Sequence, residues 1–151
     1  MNLSGTFTFD GPRARVWETL LDPAVLAKAL PGTKTLTLVG EDRYQGVMKV
    51  SVGPVTAAEF AMNVDLSDKV APERFTVNID GKGSLGFTKG VATIELLEEA
   101  GPATVMTYNA DVQVGGRIAS VGQRLLESVG KMMTKQALDS LNKELKARLG
   151  S

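Results

Sequence analysis

From Leu3 onward the chain alternates. Leu3, Phe7 and Phe9 fall on one side of an extended segment and Ser4, Thr6 and Thr8 on the other, the pattern of a half-buried strand. Asp10-Gly11-Pro12 interrupts it, with Pro12 suited to a helix start. The period then becomes helical. Val16, Trp17, Leu20 and Leu21 recur at steps of three and four and share a face. Asp22-Pro23 ends this helix and opens a second short one, Asp22 as its cap and Pro23 in its first position. Val25, Leu26, Ala29 and Leu30 are its apolar residues, and Pro31-Gly32 closes it.

From there to residue 115 the period is two. Strands are predicted over Lys34–Val39, Arg43–Val52, Val55–Ser67, Glu73–Asp80, Ser84–Leu97 and Ala103–Val114, most of them separated by glycine- and proline-bearing turns. Phe60, Met62, Val64 and Leu66 share one face of their strand; Phe75, Val77 and Ile79 share one face of the next. Met106, Tyr108, Ala110, Val112 and Val114 do so in the last. In Ser84–Leu97 the apolar run Leu85, Phe87, Val91 passes into Ile94 and Leu96, so a parity switch, a bulge or sharp bend, is expected near Gly90. Consecutive one-sided strands with short turns predict an antiparallel meander with one wet and one covered face. The cover comes from the last stretch. Arg117 to Leu149 reads as one proline-free helix on the order of 45 Å long. Its stripe is Ile118, Val121, Leu125, Val129, Met132, Met133, Ala137, Leu141 and Leu145. The expected fold is α+β: a seven-stranded curved antiparallel sheet around a long C-terminal helix, with two short helices after strand 1. No repeat, low-complexity stretch or linker divides the chain, so residues 1–151 are expected to form one domain.

The expected inner faces hold small residues: Gly5, Gly46, Ala58, Ala61, Gly86, Ala92 and Ala110. Gly122 and Gly130 lie within the predicted long helix, where each costs about 1 kcal/mol relative to alanine. Close packing, a bend or room for a ligand would offset that cost. Met48, Met62, Met106, Met132 and Met133 lie on or near the inner faces, and thioethers suit adaptable apolar pockets. A cavity between sheet and helix is therefore expected. Its lining is expected to include Met48, Phe60, Met62, Phe87, Met106, Tyr108, Ala110, Ile118, Gly122, Leu125, Val129 and Met133.

Composition narrows the chemistry. Apolar residues make up 43% and charged residues 23% of the chain, ordinary values for a globular protein. There is no cysteine and no histidine. The usual zinc ligands are missing, and neither a Ser-His-Asp nor a Cys-His arrangement can be built. No metal site is expected, and an enzyme is the less expected class. The start MNLSGTFTFDG lacks the basic and apolar regions of a secretory signal, and no apolar run is long enough to span a bilayer. A cytoplasmic location is the expectation. Net charge is zero but uneven: Arg117 to Arg148 carries seven basic and three acidic residues, +4 against −4 for the remainder. That reads first as a solvated helix face, and otherwise as a basic face for an acidic partner or anionic lipid. No basic run is interleaved with aromatics, so nucleic acid is not an expected partner.

Two stretches resemble a known family. Val16-Trp17-x-x-Leu20-x-Asp22-Pro23-x-x-Leu26-Ala27-x-x-Leu30-Pro31-Gly32 resembles the helix pair and closing turn of the CoxG family, named for the G subunit of carbon monoxide dehydrogenase. Gly116-x-Ile118-Ala119-x-Val121-Gly122-x-Arg124-Leu125-Leu126 resembles that family's approach to its last helix. Between them, Gly90-x-Ala92-Thr93-Ile94-x-Leu96 and Thr104-x-Met106-x-Tyr108-x-Ala110-x-Val112-x-Val114-Gly115 look like its last two strands. The resemblance runs from about residue 2 to 145 and implies the helix-grip, START-like fold of the SRPBCC superfamily. It implies a non-catalytic accessory to a carbon monoxide dehydrogenase-type molybdenum hydroxylase. Such a protein would bind a hydrophobic small molecule, an isoprenoid quinone or another lipid, and would help the enzyme associate with the inner face of the membrane by peripheral contact. Membrane-associated members carry a tail after the last helix; here the sequence ends at Leu149-Gly150-Ser151, so stable anchoring is not expected. Many members also pair phenylalanines late in that helix, where this chain has Gln136-Ala137-Leu138.

Two alternatives remain open from the residues. A cyclase- or hydratase-like enzyme would need a polar cluster in the cavity, and the candidates are Tyr44, Glu59, Tyr108 and Arg124. Strand parity puts Glu59 outside, Tyr108 is the best inward polar group, and Arg124 is expected to pair simply with Glu127. In a purely structural assembly subunit the cavity would be incidental.

Overall fold

The computed structural model describes residues 1–150. Its order is β1 (Asn2–Phe9), α1 (Arg13–Leu21), α2 (Pro23–Ala29), β2 (Thr33–Gly40), β3 (Arg43–Val52), β4 (Val55–Val70), β5 (Arg74–Gly83), β6 (Gly86–Glu99) and β7 (Ala103–Gly115). A 3₁₀ turn, Arg117–Val121, and the long helix α3 (Gln123–Leu149) complete it. The strands form one antiparallel sheet in the order β1-β7-β6-β5-β4-β3-β2. The meander β2 to β7 follows chain order, and β1 closes on β7, leaving β1 and β2 as the two edges. This is the helix-grip arrangement expected from the alternation.

Local chemistry fixes the helices. Asp22 caps α2, its carboxylate accepting from the Ala24 N–H at 2.9 Å, with Pro23 in the first turn. α1 seats on the sheet through Val16 and Leu20, both buried, and through Trp17, whose ring meets Phe75 edge-to-face at 5.3 Å. α3 is held at its C-terminal half by polar ties. Asn142 accepts from the Asp10 N–H at 2.9 Å and donates to the Asp10 carboxylate at 2.8 Å. Arg148 pairs with Asp22, and Lys28 with Glu144 at 3.5 Å.

The long helix differs from expectation at its start. Arg117–Val121 is a 3₁₀ turn, and Gly122 separates it from α3 with φ +101° and ψ 151°. A side chain at those angles is strained, and glycine is not. Within α3 the expected stripe drifts, because each four-residue step advances about 40° around the axis; Leu126 is buried while Leu125 packs beneath the β3–β4 turn at Gly53. Met132, expected on the inner stripe, is exposed.

The expected parity switch in β6 is absent. β6 pairs with β5 and β7 in unbroken register. Its inward residues are Gly86, Thr88, Gly90, Ala92, Ile94 and Leu96, and Phe87 and Val91 stand exposed on the outer face. Ala61 likewise points outward.

Apolar burial is concentrated at two ends. One cluster gathers Phe9, Val16, Leu20, Phe75, Leu96, Met106, Leu141 and Leu145 under α1, α2 and the C-terminal half of α3. The other gathers Val52, Ala58, Phe60, Ile118 and Leu126 at the N-terminal end of α3. Between them, inward-facing residues of the central strands, including Met62, Val77, Ile79, Ala92 and Ala110, are only half-buried. In a filled core such side chains would touch neighbours on every side.

Candidate functional site: an apolar cavity between sheet and helix

The half-buried residues line two adjoining lobes of about 270 Å³ and 370 Å³ between the concave face of the sheet and α3. The smaller lobe lies towards the N-terminal end of α3. Met48, Phe60, Ile79, Val112 and Ile118 wall it from below, and Leu126, Val129, Gly130 and Met133 from the helix. The larger lobe runs under α1 and α2. Its floor is Val77, Ala92, Ile94, Met106 and Ala110, and Leu20, Leu26, Leu30, Leu138 and Leu141 close it. Leu3, Met48, Met62, Ile79 and Thr134 border both lobes, which therefore adjoin along one boundary. Each volume is near the lower end of the range of about 300–1,000 Å³ typical of ligand sites.

The space comes from small residues at consecutive rungs. Ala110 lies opposite Leu3 on one side and Ala92 on the other, and Gly90 lies opposite Val112. Alanine and glycine there leave the middle of the sheet without the bulk that fills both ends. The alternation of β7 puts Tyr108, Ala110, Val112 and Val114 on this face, as its sequence predicts.

Nine of the expected lining residues border a lobe: Met48, Phe60, Met62, Met106, Tyr108, Ala110, Ile118, Val129 and Met133. Three do not. Phe87 is outside, its ring lying over Gly115 on the outer face, because β6 keeps its parity. Gly122 is the break before α3, with no atom within 4 Å of where a side chain would begin. Leu125 is turned to Gly53 because the four-residue stripe drifts around the helix, and Leu126 takes its place. Gly130, Thr134, Leu3 and Thr88 join the lining without having been expected there. Following the 3.6-residue period back from Met133 recovers Leu126, and strict alternation through β6 recovers Thr88.

Among the described residues no charged side chain lines either lobe; Met1 borders the smaller one, and its N-terminal ammonium donates to the Val112 carbonyl at 2.6 Å. The polar groups are Thr88, Thr134, Tyr44 and Tyr108. The Thr134 hydroxyl donates to the Gly130 carbonyl at 2.8 Å. The Tyr44 hydroxyl donates to the Leu21 carbonyl at 2.6 Å. Burial, with the Asp42 and Asp22 carboxylates adding, pushes the Tyr44 phenol above its ordinary pKa and keeps it neutral. Tyr108 stands over Gly5, its oxygen 2.9 Å from the point where a Gly5 side chain would begin. Glu59 is outside, as parity required. It pairs with Lys34 at 3.0 Å, and that ammonium holds its carboxyl below the usual range. Arg124 does not pair with Glu127 as expected; Glu127 accepts from Gln123 at 3.3 Å, and Arg124 is exposed. The four polar candidates therefore do not converge. Among the described residues no helix is long and apolar enough to cross a membrane.

Comparison with known proteins places this geometry. Among solved structures, a conserved protein from Geobacillus kaustophilus superposes with a TM-score of 0.91 at 28% identity, over 97% of this chain and 96% of that one. A START superfamily protein from Mycobacterium smegmatis gives 0.73 at 10% identity, over 97% of each chain. The Zhui aromatase/cyclase from Streptomyces sp. R1128 gives 0.68 at 16% identity, over 99% of this chain and 95% of that one. The last two likenesses are of fold alone. No curated protein matches at the level of sequence. The family comparison does match, to the G subunit of carbon monoxide dehydrogenase (CoxG) over residues 5–146, nearly the whole length, so the chain belongs to the CoxG family.

Proposed function

We propose that this chain is a non-catalytic carrier that holds a lipophilic molecule, an isoprenoid quinone or another lipid, as an accessory to a carbon monoxide dehydrogenase-type molybdenum hydroxylase. The observation that carries this reading is the interior itself: two adjoining apolar lobes, lined without a charged side chain among the described residues, between well-packed ends. A prenyl or acyl tail gains about 0.8 kcal/mol for each methylene it buries there. Family membership supports the link to the hydroxylase. A cyclase-like activity has less support. Acid–base work on an apolar substrate needs a proton donor and acceptor within reach of each other. Here Tyr44 is committed to a backbone carbonyl, and no carboxylate lines the lobe beside Tyr108.

The test is organic extraction of the purified full chain with mass spectrometry of the extract, followed by calorimetric titration with a short-tailed quinone analogue. A co-purified lipophile or saturable binding is the expected result. Neither an extracted lipid nor any uptake of the analogue would leave the chain a scaffold with an incidental void.

A further inference from the structure

The larger lobe has a second side. Leu3, Tyr108, Thr134 and Leu138 line it from within and also line a groove on the surface between β1 and α3. The groove differs sharply in chemistry from the lobes. Lys131 and Lys135 stand on its helix wall, one turn apart, and Ser4 and Thr6 on its strand wall. No carboxylate lines it. Lys135 is partly answered by Asp139 at 3.0 Å. Lys131 makes no ion pair, and the Tyr108 hydroxyl makes no hydrogen bond, among the described residues. β1 is an edge strand bonded only to β7 among the described residues, so its other side presents unpaired backbone N–H and C=O groups. The groove is thus rich in donors and free of acids. Its helix wall belongs to the segment whose net charge is +4.

We infer that this groove is the mouth of the cavity and receives the acidic headgroup of an amphiphile whose tail lies in the lobes, with the Lys131 ammonium and the Tyr108 hydroxyl as its donors. The inference rests on reading the lobes as a lipophile site and adds the chemistry of the other end of the ligand. A neutral headgroup could accept hydrogen bonds there but would bring no countercharge to the Lys131 ammonium. A carboxylate satisfies both, and charge-assisted hydrogen bonds are the stronger kind. Ser4 and Thr6 offer hydroxyls on the opposite lip. Tyr108 sits where the groove and the lobe meet, and Gly5 leaves room for its ring.

The experiment titrates the full chain with hexadecanoate and with hexadecanol, matched in tail and differing in headgroup, at low and high salt. Wild type should bind the acid about tenfold more tightly than the alcohol at low salt, the scale of one charge-assisted hydrogen bond at a half-exposed site. High salt should narrow the gap. Lys131→Met, which keeps the aliphatic stem, should abolish most of it. Lys143→Met, on the same helix but away from the groove, should leave it intact. Tyr108→Phe should weaken the acid more than the alcohol. Both lysines are exposed, and matching thermal unfolding curves will show that the variants are folded. Equal affinity for acid and alcohol, or equal effects of the two lysine variants, would overturn the headgroup site while leaving the lipophile reading in place. Binding of neither probe would remove both.

Discussion

Ala110→Leu tests the open interior most directly. Ala110 faces inward from the middle of β7, with Leu3 and Ala92 on either side, and lines the larger lobe. The substitution adds three carbons to that space. If the lobe is open, they are buried without displacing anything, worth about 2 kcal/mol at about 0.8 kcal/mol per methylene. Ordering a leucine side chain takes back about 0.5–1 kcal/mol. The ligand-free protein should therefore gain about 1 kcal/mol, and its Tm should rise by about 2–4 °C for a chain of this size. The same carbons deny a bound tail about three methylenes of burial. That weakens binding by about 2 kcal/mol, or roughly thirtyfold in Kd. Thermal unfolding of delipidated protein reads the first quantity, and calorimetry with a short-tailed quinone analogue reads the second. Opposite signs, a firmer fold and a weaker ligand, are the signature of a hollow. In a filled core the same change would overpack and cost about 1–3 kcal/mol. A fall in Tm of several degrees with unchanged ligand affinity would refute the reasoning.

Two other substitutions probe the frame. Gly122→Ala should destabilise by about 1–3 kcal/mol in denaturant titration, because alanine is strained at φ +101° although no neighbouring atom lies within 4 Å; an unchanged midpoint would show that the segment relaxes freely. Asp22 is held below the ordinary carboxyl range, first by its hydrogen bond from Arg148 and then by the Ala24 N–H, against an opposing contribution from burial. A carboxyl with a depressed folded pKa stabilises above its unfolded value, near 3.8, and loses that stabilisation as pH falls through the folded value. Asp22→Asn keeps a capping side chain but removes the charge. It should cost no more than about 1 kcal/mol at neutral pH, as befits a part-exposed pair, and should flatten the acid limb of the stability curve below about pH 4.

The sheet is legible in the sequence wherever one face is apolar and the other polar. The alternation gives β3 to the residue and the inward set of β7 in full. β6 misleads because its outer face carries Phe87 and Val91 while its inner face carries Thr88 and Gly90. Hydrophobicity follows the larger residues, and the concave face there needs small ones. The same preference for bulk hides part of the cavity, whose room at this rung is made by glycine and threonine. The helix stripe holds in its C-terminal half, where Leu141 and Leu145 are buried. It slips by one residue at its start because a run of four-residue steps drifts off the 3.6-residue repeat, which puts Leu125 on a different face from Leu145. The scattering of the polar candidates has a simpler root: without histidine or cysteine, few residue types remain that could build a catalytic cluster. The groove between β1 and α3 is invisible to local pattern, because it joins residues more than a hundred positions apart.

A fold whose dense regions sit at its two extremities carries an unfinished middle. A tail lodged there would act as a missing piece of the protein itself, bound by the native chain and not by the unfolded one. At a free concentration a hundred times its Kd, such a guest adds about 2.7 kcal/mol to the folding equilibrium. That is a large share of the roughly 5–15 kcal/mol that keeps an ordinary domain folded. Empty copies would then open to proteases more often than loaded ones. The amount of this protein in a cell would follow the supply of what it carries, with no dedicated sensor.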